Sequence, residues 1–510
     1  MWPALLAEPL AQIAVQMAEQ VELPSDTARI EMHLGALVGR LMPTGGWMAG
    51  ERHSGAEPIG TGRARPYDES TLRKHVRELA QSGGTDIVAR VVEAQVERAV
   101  AASEEKAVAY TDIFDQVYWT KKPAHAGPVA NRGNRLLAAT YFGLSFVRPA
   151  LGRVLAYHVS WHKPASPLQD ALEALHAEPR RATWLTATTR CHIWDRGGSG
   201  RPTLRWAFVH RIPYLTVTKG STRWTRYRRA PQVYTRRRLP VFVRRDAAVL
   251  RGMCRRTVAQ RSVTPQEVIF PAHPDKGRTS TKALRYRTGA ALSKDELRDL
   301  DHVYKTRWPC NENPIKALVA VGFDRNLDRG MTTTTSRGTD GRQTRLELRE
   351  QALRDEVAAC QPTTSAQLTK ALARFGRFKR ACDEERAAIA AVPQDKGARM
   401  PTGAEGLAKN LMLLMYNALV LLLARSPIEQ VQAMTVHRVY ELLLGRTMLA
   451  CLEAPRTTLW IDPVPNTSER HLQEELVRLL NEQALTLRGR PLHLRLYDPS
   501  RQRRPLRVLS

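Results

Sequence analysis

Three runs rich in β-branched and aromatic residues, at 108–120, 136–147 and 153–161, constrain the fold more than any other part of the chain. Each is long enough for a strand, and they stand too close together for crossover helices, so they predict an antiparallel meander. Residues 166–176 then set Leu168, Leu172 and Leu175 on one face of an amphipathic helix. Residues 183–194 read as a further strand that stops at Asp195, 201–210 as helix and 214–217 as strand. Strand, strand, strand, helix, strand is the order of an α/β fold, one mixed sheet flanked by helices.

The rest of the chain is arranged around that block. Residues 1–48 carry Leu5, Leu6, Ile13, Ala14 and Met17 at helical spacing. Residues 42–66, rich in Gly, Pro and Arg, read as a linker or ordered loop. Residues 67–100 read as two helices about Ser82-Gly83-Gly84, with Arg73, Lys74 and Arg77 on the polar side. That pattern suits a helix-turn-helix for DNA ends and suits plain helical packing as well. Further on, Ser293-Lys294-Asp295-Glu296 is a capping box that opens a helix running towards Thr306. Residues 345–391 read as charged helix, partly self-paired, and 403–451 as apolar helix. The end mixes short strands with a helix near 472–481 and closes on a basic tail. The expected organisation is therefore a helical N-terminal region (1–105) and a core (106–218) completed by 291–330. A β-rich basic insertion (219–290), a helical region (331–450) and an α/β C-terminal segment (451–510) make up the rest.

Charge limits the partner. The chain has 78 Lys and Arg against 50 Asp and Glu, a formal net charge of +28 over 510 residues. Such an excess on a chain with ordinary apolar content points to a polyanion, nucleic acid before an anionic membrane surface. The apolar run at 411–424 is too short to span a bilayer and contains Asn417, so a buried helix is expected and no membrane. Glu8 and Glu19 stand where a leader would be basic, and none of the six cysteines forms a C-x-x-C pair. A cytoplasmic protein is expected, with neither a disulfide framework nor a zinc knuckle. Arg223, Arg226, Arg228, Arg229, Arg236, Arg237 and Arg238 are interleaved with Trp224, Tyr227, Tyr234 and Phe242. Arginines for phosphates and aromatic faces for bases or sugars make this segment a candidate DNA-contacting sheet; the alternative is a solvated basic hairpin.

Against this basic background three acids stand in unusual settings. Asp112 lies inside an apolar strand, where an unpaired carboxylate costs several kcal/mol unless a metal or partner compensates. Asp115, three residues on, faces the other side of the strand and is the reserve candidate. Asp195 ends a strand and precedes Arg196-Gly197-Gly198, where it could line a ligand crevice or cap a turn. Glu312 lies among Tyr304, Arg307, Asn313 and Lys316, with Lys316 one helical turn beyond it. Phosphodiester chemistry needs an anionic nucleophile and a neutralised leaving oxyanion, and two divalent ions about 4 Å apart supply both. Magnesium takes oxygen ligands, so converging carboxylates in a positive field are the pattern to expect.

Asp112 within a strand, Ile193-Trp194-Asp195-Arg196-Gly197-Gly198, and Tyr304-x-x-Arg307-Trp308 followed by Glu312-Asn313 and Lys316 resemble the DDE transposases of bacterial insertion sequences. The branch is the one with a Tyr-Arg-Glu-Lys signature, and the resemblance spans roughly 106–326. It implies a ribonuclease H-like core, whose strand order agrees with the order read above. It implies Asp112, Asp195 and Glu312 as ligands of Mg2+ or Mn2+, two ions in all. Arg307, Asn313 and Lys316, supported by Tyr304, would contact DNA near the cleaved end. A homodimer would join two element ends in a synapse and insert them into target DNA. The interval from Arg307 to Glu312 is one residue longer than the signature, setting Asn311 where the acid is expected; the Glu312-Asn313 pair fixes the assignment. An inactive transposase-derived DNA-binding protein and a ribonuclease H-like metal nuclease are the alternative readings.

Overall fold

The run that carries Asp112 folds as a central strand of a large mixed sheet. The structure is a computed structural model and describes all residues except 1, 21–26, 42–66, 103, 120–128, 133–134, 150–152, 163–166, 219–221, 224–231, 237–238, 252, 254–257, 259–262, 272–281, 324–331, 337–342, 344–345, 348, 352–364, 392–394, 400–401, 445, 447, 453–454, 488 and 499–510. The predicted linker at 42–66 thus lies outside the described residues. Strands β1 (Ala107–Trp119), β2 (Val129–Arg132), β3 (Arg135–Arg148) and β4 (Leu155–His162) form the expected antiparallel set, with β3 paired to the other three. β5 (Thr189–Trp194) returns parallel to β1, and β6 (Tyr214–Val217) is parallel to β5. The sheet then continues through β7 (Thr222–Arg223), β8 (Gln232–Arg236), β9 (Leu239–Arg245), β10 (Gln266–Pro271) and β11 (Lys282–Thr288). Its order is β2-β3-β1-β5-β6-β11-β10-β9-β8, so the basic segment extends the central sheet rather than standing apart from it.

Helices α1 (Trp2–Leu5), α2 (Ala7–Gln20), α3 (Thr27–Leu41), α4 (Glu69–Gln81) and α5 (Gly84–Ala101) build the N-terminal layer. Asp68 caps α4 through the Ser70 amide, and Gly83 turns the chain with φ of 80°, a conformation glycine adopts without strain. Leu72, Val76, Leu79, Val88, Val92 and Val96 are all buried, which ties the α4–α5 pair into the common core.

One sequence expectation changes between β4 and β5. After α6 (Pro167–Ala177), residues 179–188 form α7 (Pro179–Thr188), and only 189–194 are strand. The Glu178 carboxylate accepts from the amides of Arg180 and Arg181, and Pro179 takes the first helical position. The hydroxyls of Thr183, Thr186 and Thr188 each donate to the carbonyl four residues back. These local bonds let threonines that look strand-forming sit in a helix. Helix α8 (Arg201–Val209) then leads to β6 as expected.

Beyond β9 come α9 (Ala247–Leu250), α10 (Lys294–Arg298), α11 (Leu300–Lys305) and α12 (Asn313–Ala320). The predicted capping box is formed by Ser293 and Glu296. β12 (Thr332–Ser336) pairs with β13 (Asp395–Arg399), and the long α13 (Ser365–Ala390) lies between them in the chain. α14 (Thr402–Leu423) is apolar all round because it is buried all round: 89% of its most apolar stretch lies inside the protein. Asn417 on it accepts from the Ala156 amide at 2.8 Å and donates to the Ala156 carbonyl at 2.7 Å, satisfying a backbone position on β4. The predicted apolar helix over 403–451 ends early, at Leu423. Pro427 forbids continuation, and the Ser426 hydroxyl bonds instead to Glu475 and to the Ile428 amide. Short helices α15 (Glu429–Gln432) and α16 (Val436–Val439) follow. β14 (Met448–Leu452), β15 (Thr457–Ile461), α17 (Thr467–Asn481), β16 (Thr486–Leu487) and β17 (Arg490–Leu496) then form a second, four-stranded sheet ordered β14-β15-β17-β16.

Candidate active site: three carboxylates around Arg307

Strand register brings the first two acids side by side. Thr111 on β1 stands opposite Trp194 on β5 in the parallel ladder, so Asp112 and Asp195 are the next residues along two neighbouring strands. Asp195 starts a short 3-10 turn over Arg196–Gly198, yet its side chain makes no capping hydrogen bond. Its carboxylate is therefore left for other work. The glycines matter here through space rather than backbone angle: a Cβ on Gly198 would lie 2.6 Å from the Trp194 ring, whose Nε1 donates to the Gly198 carbonyl.

The third acid arrives from the helices after β11. Arg307 points from the end of that segment into the angle between the strands and gathers all three carboxylates. Its Nη1 is 2.5 Å from Asp112 Oδ2, and its Nη2 is 2.5 Å from Glu312 Oε1 and 3.9 Å from Asp195 Oδ1. The side chains of Arg307, Asp112 and Glu312 retain only 12%, 18% and 19% of their exposure, whereas that of Asp195 keeps 37%. Three carboxylates thus surround one guanidinium, and Asp195 is the most exposed of them.

The extra residue before Glu312 is absorbed by the helix itself. Trp308–Glu312 is a π-helical turn, in which the Asn313 amide bonds the Trp308 carbonyl five residues back. In an α-helix the residue one turn below Arg307 is Asn311; the wider π turn moves Glu312 there instead. Pro309 sits at its start, where a missing amide hydrogen costs little. The displaced residue, Asn311, is fully buried, and among the described residues neither polar atom of its side-chain amide has a hydrogen-bond partner.

Burial dominates the electrostatics. The Asp112 carboxyl is pushed up to about 6, first because it is desolvated; the Arg307 charge and the Ile113 amide pull it back down. Burial by itself lowers Arg307, but Asp112, Tyr304, Asp195 and Glu312 together raise it. The Tyr304 phenol is also pushed up by burial, and its hydroxyl lies 3.5 Å from Asp195 Oδ1. Under the two strands, Thr111 Oγ1 lies 2.8 Å from His192 Nε2 and 2.9 Å from Ser145 Oγ, linking β1 to β5 and β3. Sequence reading passed over this buried relay, although its three polar residues at inward strand positions were a signal.

Of the remaining expected site residues, Asn313 is exposed on α12. Lys316 does not pair with Glu312; its Nζ lies 4.8 Å from the centroid of the Trp308 ring, and that indole is 57% exposed. Arg223 and Arg236 lie on β7 and β8, while Arg226, Arg228, Arg229, Arg237 and Arg238 lie outside the described residues. Among the described residues, no three His, Cys, Asp or Glu side chains stand together in an arrangement that holds a metal as it is. The three acids are gathered around a cation already, and their oxygens are the hard donors that magnesium or manganese takes. No protein-family model matches the chain, and no curated protein matches it.

Proposed function

We propose that this chain is a DNA transposase with a ribonuclease H-like core, which cleaves strands at element ends and joins the 3′-hydroxyl to target DNA. The observation that carries the reading is the meeting of Asp112, Asp195 and Glu312, residues far apart in the chain, on one guanidinium. Two further features support it. The order β4-β3-β1-β5-β6, with only β3 antiparallel to its neighbours β1 and β4 and the others parallel, matches the ribonuclease H-like sheet. The net charge of +28 suits a DNA partner.

In this reading Asp112, Asp195 and Glu312 hold the divalent ions. Such ions, when bound, activate a water or 3′-hydroxyl and neutralise the leaving oxyanion. The chain's own residues do the rest. Arg307 keeps three mutually repelling carboxylates in one cluster, and its planar fork is the shape that receives a phosphate bidentately. Tyr304 faces Asp195 at the open side. Trp308 and Lys316 present a ring and a charge at the rim, beside Asn313, where DNA would approach. Arg244 and Arg245, exposed on β9, add cations to the same sheet. Dimerisation in a synapse and a cytoplasmic, nucleoid-associated location belong to the same proposal.

A non-catalytic DNA-binding protein is the second reading, favoured by the guanidinium that already fills the acid cluster. Incubation of the full chain with DNA carrying the ends of its own element, in Mg2+ or Mn2+, separates the two. Metal-dependent nicking at those ends that disappears in Asp195→Asn, with DNA binding kept, supports the transposase. DNA binding without cleavage under either metal supports the second reading, and cleavage without end specificity or strand transfer supports a nuclease.

A further inference from the structure

The helix α13 has a property that the site does not use. Its residues from Ser365 to Cys382 include Lys370, Arg374, Arg377, Lys379 and Arg380 and no acid. The partial self-pairing of opposite charges predicted over 345–391 is met in the C-terminal half of the helix, where the acids Asp383, Glu384 and Glu385 lie and Arg386 pairs with Asp383 and Glu350. The same C-terminal half anchors the helix, through Cys382 and Ile389 packed on Leu346. The N-terminal half stands out: Arg374, Arg377, Lys379 and Arg380 are exposed, as is Leu372 at 60%.

At about 100° per residue, Arg374, Arg377 and Arg380 fall on one side of α13, away from Cys382 and Ile389. Ala373, Gly376 and Ala381 are the small residues beside them, and a Cβ on Gly376 would meet nothing within 4 Å. The result is a basic stripe about 9 Å long at 1.5 Å per residue. Duplex DNA presents about one charge per 1.7 Å of its axis. An acidic protein patch needs matching apolar or hydrogen-bonding detail to bind tightly, whereas a run of arginines among small residues suits a smooth, continuous polyanion.

We infer that the exposed basic face of α13 is a second DNA-contacting surface, which lies along a duplex backbone through Arg374, Arg377 and Arg380. The inference rests on the DNA-binding part of the proposed function. The test uses the full chain and fluorescence anisotropy with a labelled duplex over a range of NaCl. Each phosphate contact contributes about −0.9 to the slope of log affinity against log salt. In R374Q/R377Q/R380Q the slope becomes shallower by about 3, with the thermal unfolding midpoint unchanged, while R374K/R377K/R380K keeps the slope. A folded glutamine variant with the wild-type slope overturns the inference and leaves the acid site untouched. A wild-type chain with no affinity for duplex DNA overturns it together with the reading beneath it.

Discussion

Replacement of Arg307 by glutamine isolates the electrostatics of the site. Glutamine keeps a polar, though shorter, side chain and removes the guanidinium charge that balances Asp112 and Glu312, each 2.5 Å away. Breaking a buried ion pair by deleting one partner costs about 3–5 kcal/mol, because the other charge stays buried and uncompensated. Without divalent metal, Arg307→Gln is therefore less stable by roughly that amount at pH 7.5. With metal the comparison reverses in sign. A cation entering the wild-type cluster must first part these ion pairs, and that cost lowers its apparent affinity. At about 1.4 kcal/mol per tenfold, 3–5 kcal/mol sets an upper bound of roughly a hundred- to a few thousandfold on the gain in Mn2+ affinity in the variant. The assay is calorimetric Mn2+ titration, paired with thermal unfolding in EDTA and in Mn2+. Stabilisation by a ligand that binds only the folded state follows RT ln(1 + [L]/Kd), so the variant gains more from the same Mn2+. Equal Mn2+ affinity and equal stabilisation in the two proteins would refute the idea that Arg307 and a metal ion compete for the same carboxylates.

Three further outcomes follow from the same structure. Asn311→Leu removes a buried amide that has no partner, so chemical denaturation should show a gain of about 1–2 kcal/mol; a loss of that size would mean the amide is satisfied in solution. The Asp112 carboxyl is pushed up to about 6 from 3.8, so the folded state favours its protonated form. Its contribution to stability is thus complete below about pH 4 and is lost as pH rises through 6, amounting to roughly 3 kcal/mol at 1.36 kcal/mol per unit. Asp112→Asn should flatten that part of the pH–stability curve, and a curve that keeps its wild-type fall between pH 4 and 6 counts against the assignment. Asn417→Ala leaves the amide and carbonyl of Ala156 unpaired in the core, at about 1–3 kcal/mol each. Chemical denaturation should then show a loss of about 2–6 kcal/mol in the variant, and unchanged stability would show that Asn417 is dispensable.

Local pattern settled much of this protein. The strands around Asp112, the strand ending at Asp195, the capping box at Ser293 and the buried apolar helix around Asn417 were all legible, because each rests on periodicity or on contacts within a few residues. The threonines of 183–188 misled because β-branching signals a strand, while the decisive bonds, from Glu178 and from hydroxyl to carbonyl, are helical ones. The identity of the three acids could be proposed from their neighbours. That they meet could be expected on the same grounds, but how they meet could not: Asp112 reaches Asp195 through a parallel strand register and reaches Glu312 through Arg307, and such pairings across the chain are fixed by which strand lies beside which. Tertiary packing alone also widened one helical turn to a π turn, so that an inserted residue leaves Glu312 in place and Asn311 buried beneath it. It joined the basic segment to the central sheet through β6 and β11, a partnership that no local spacing in either strand encodes.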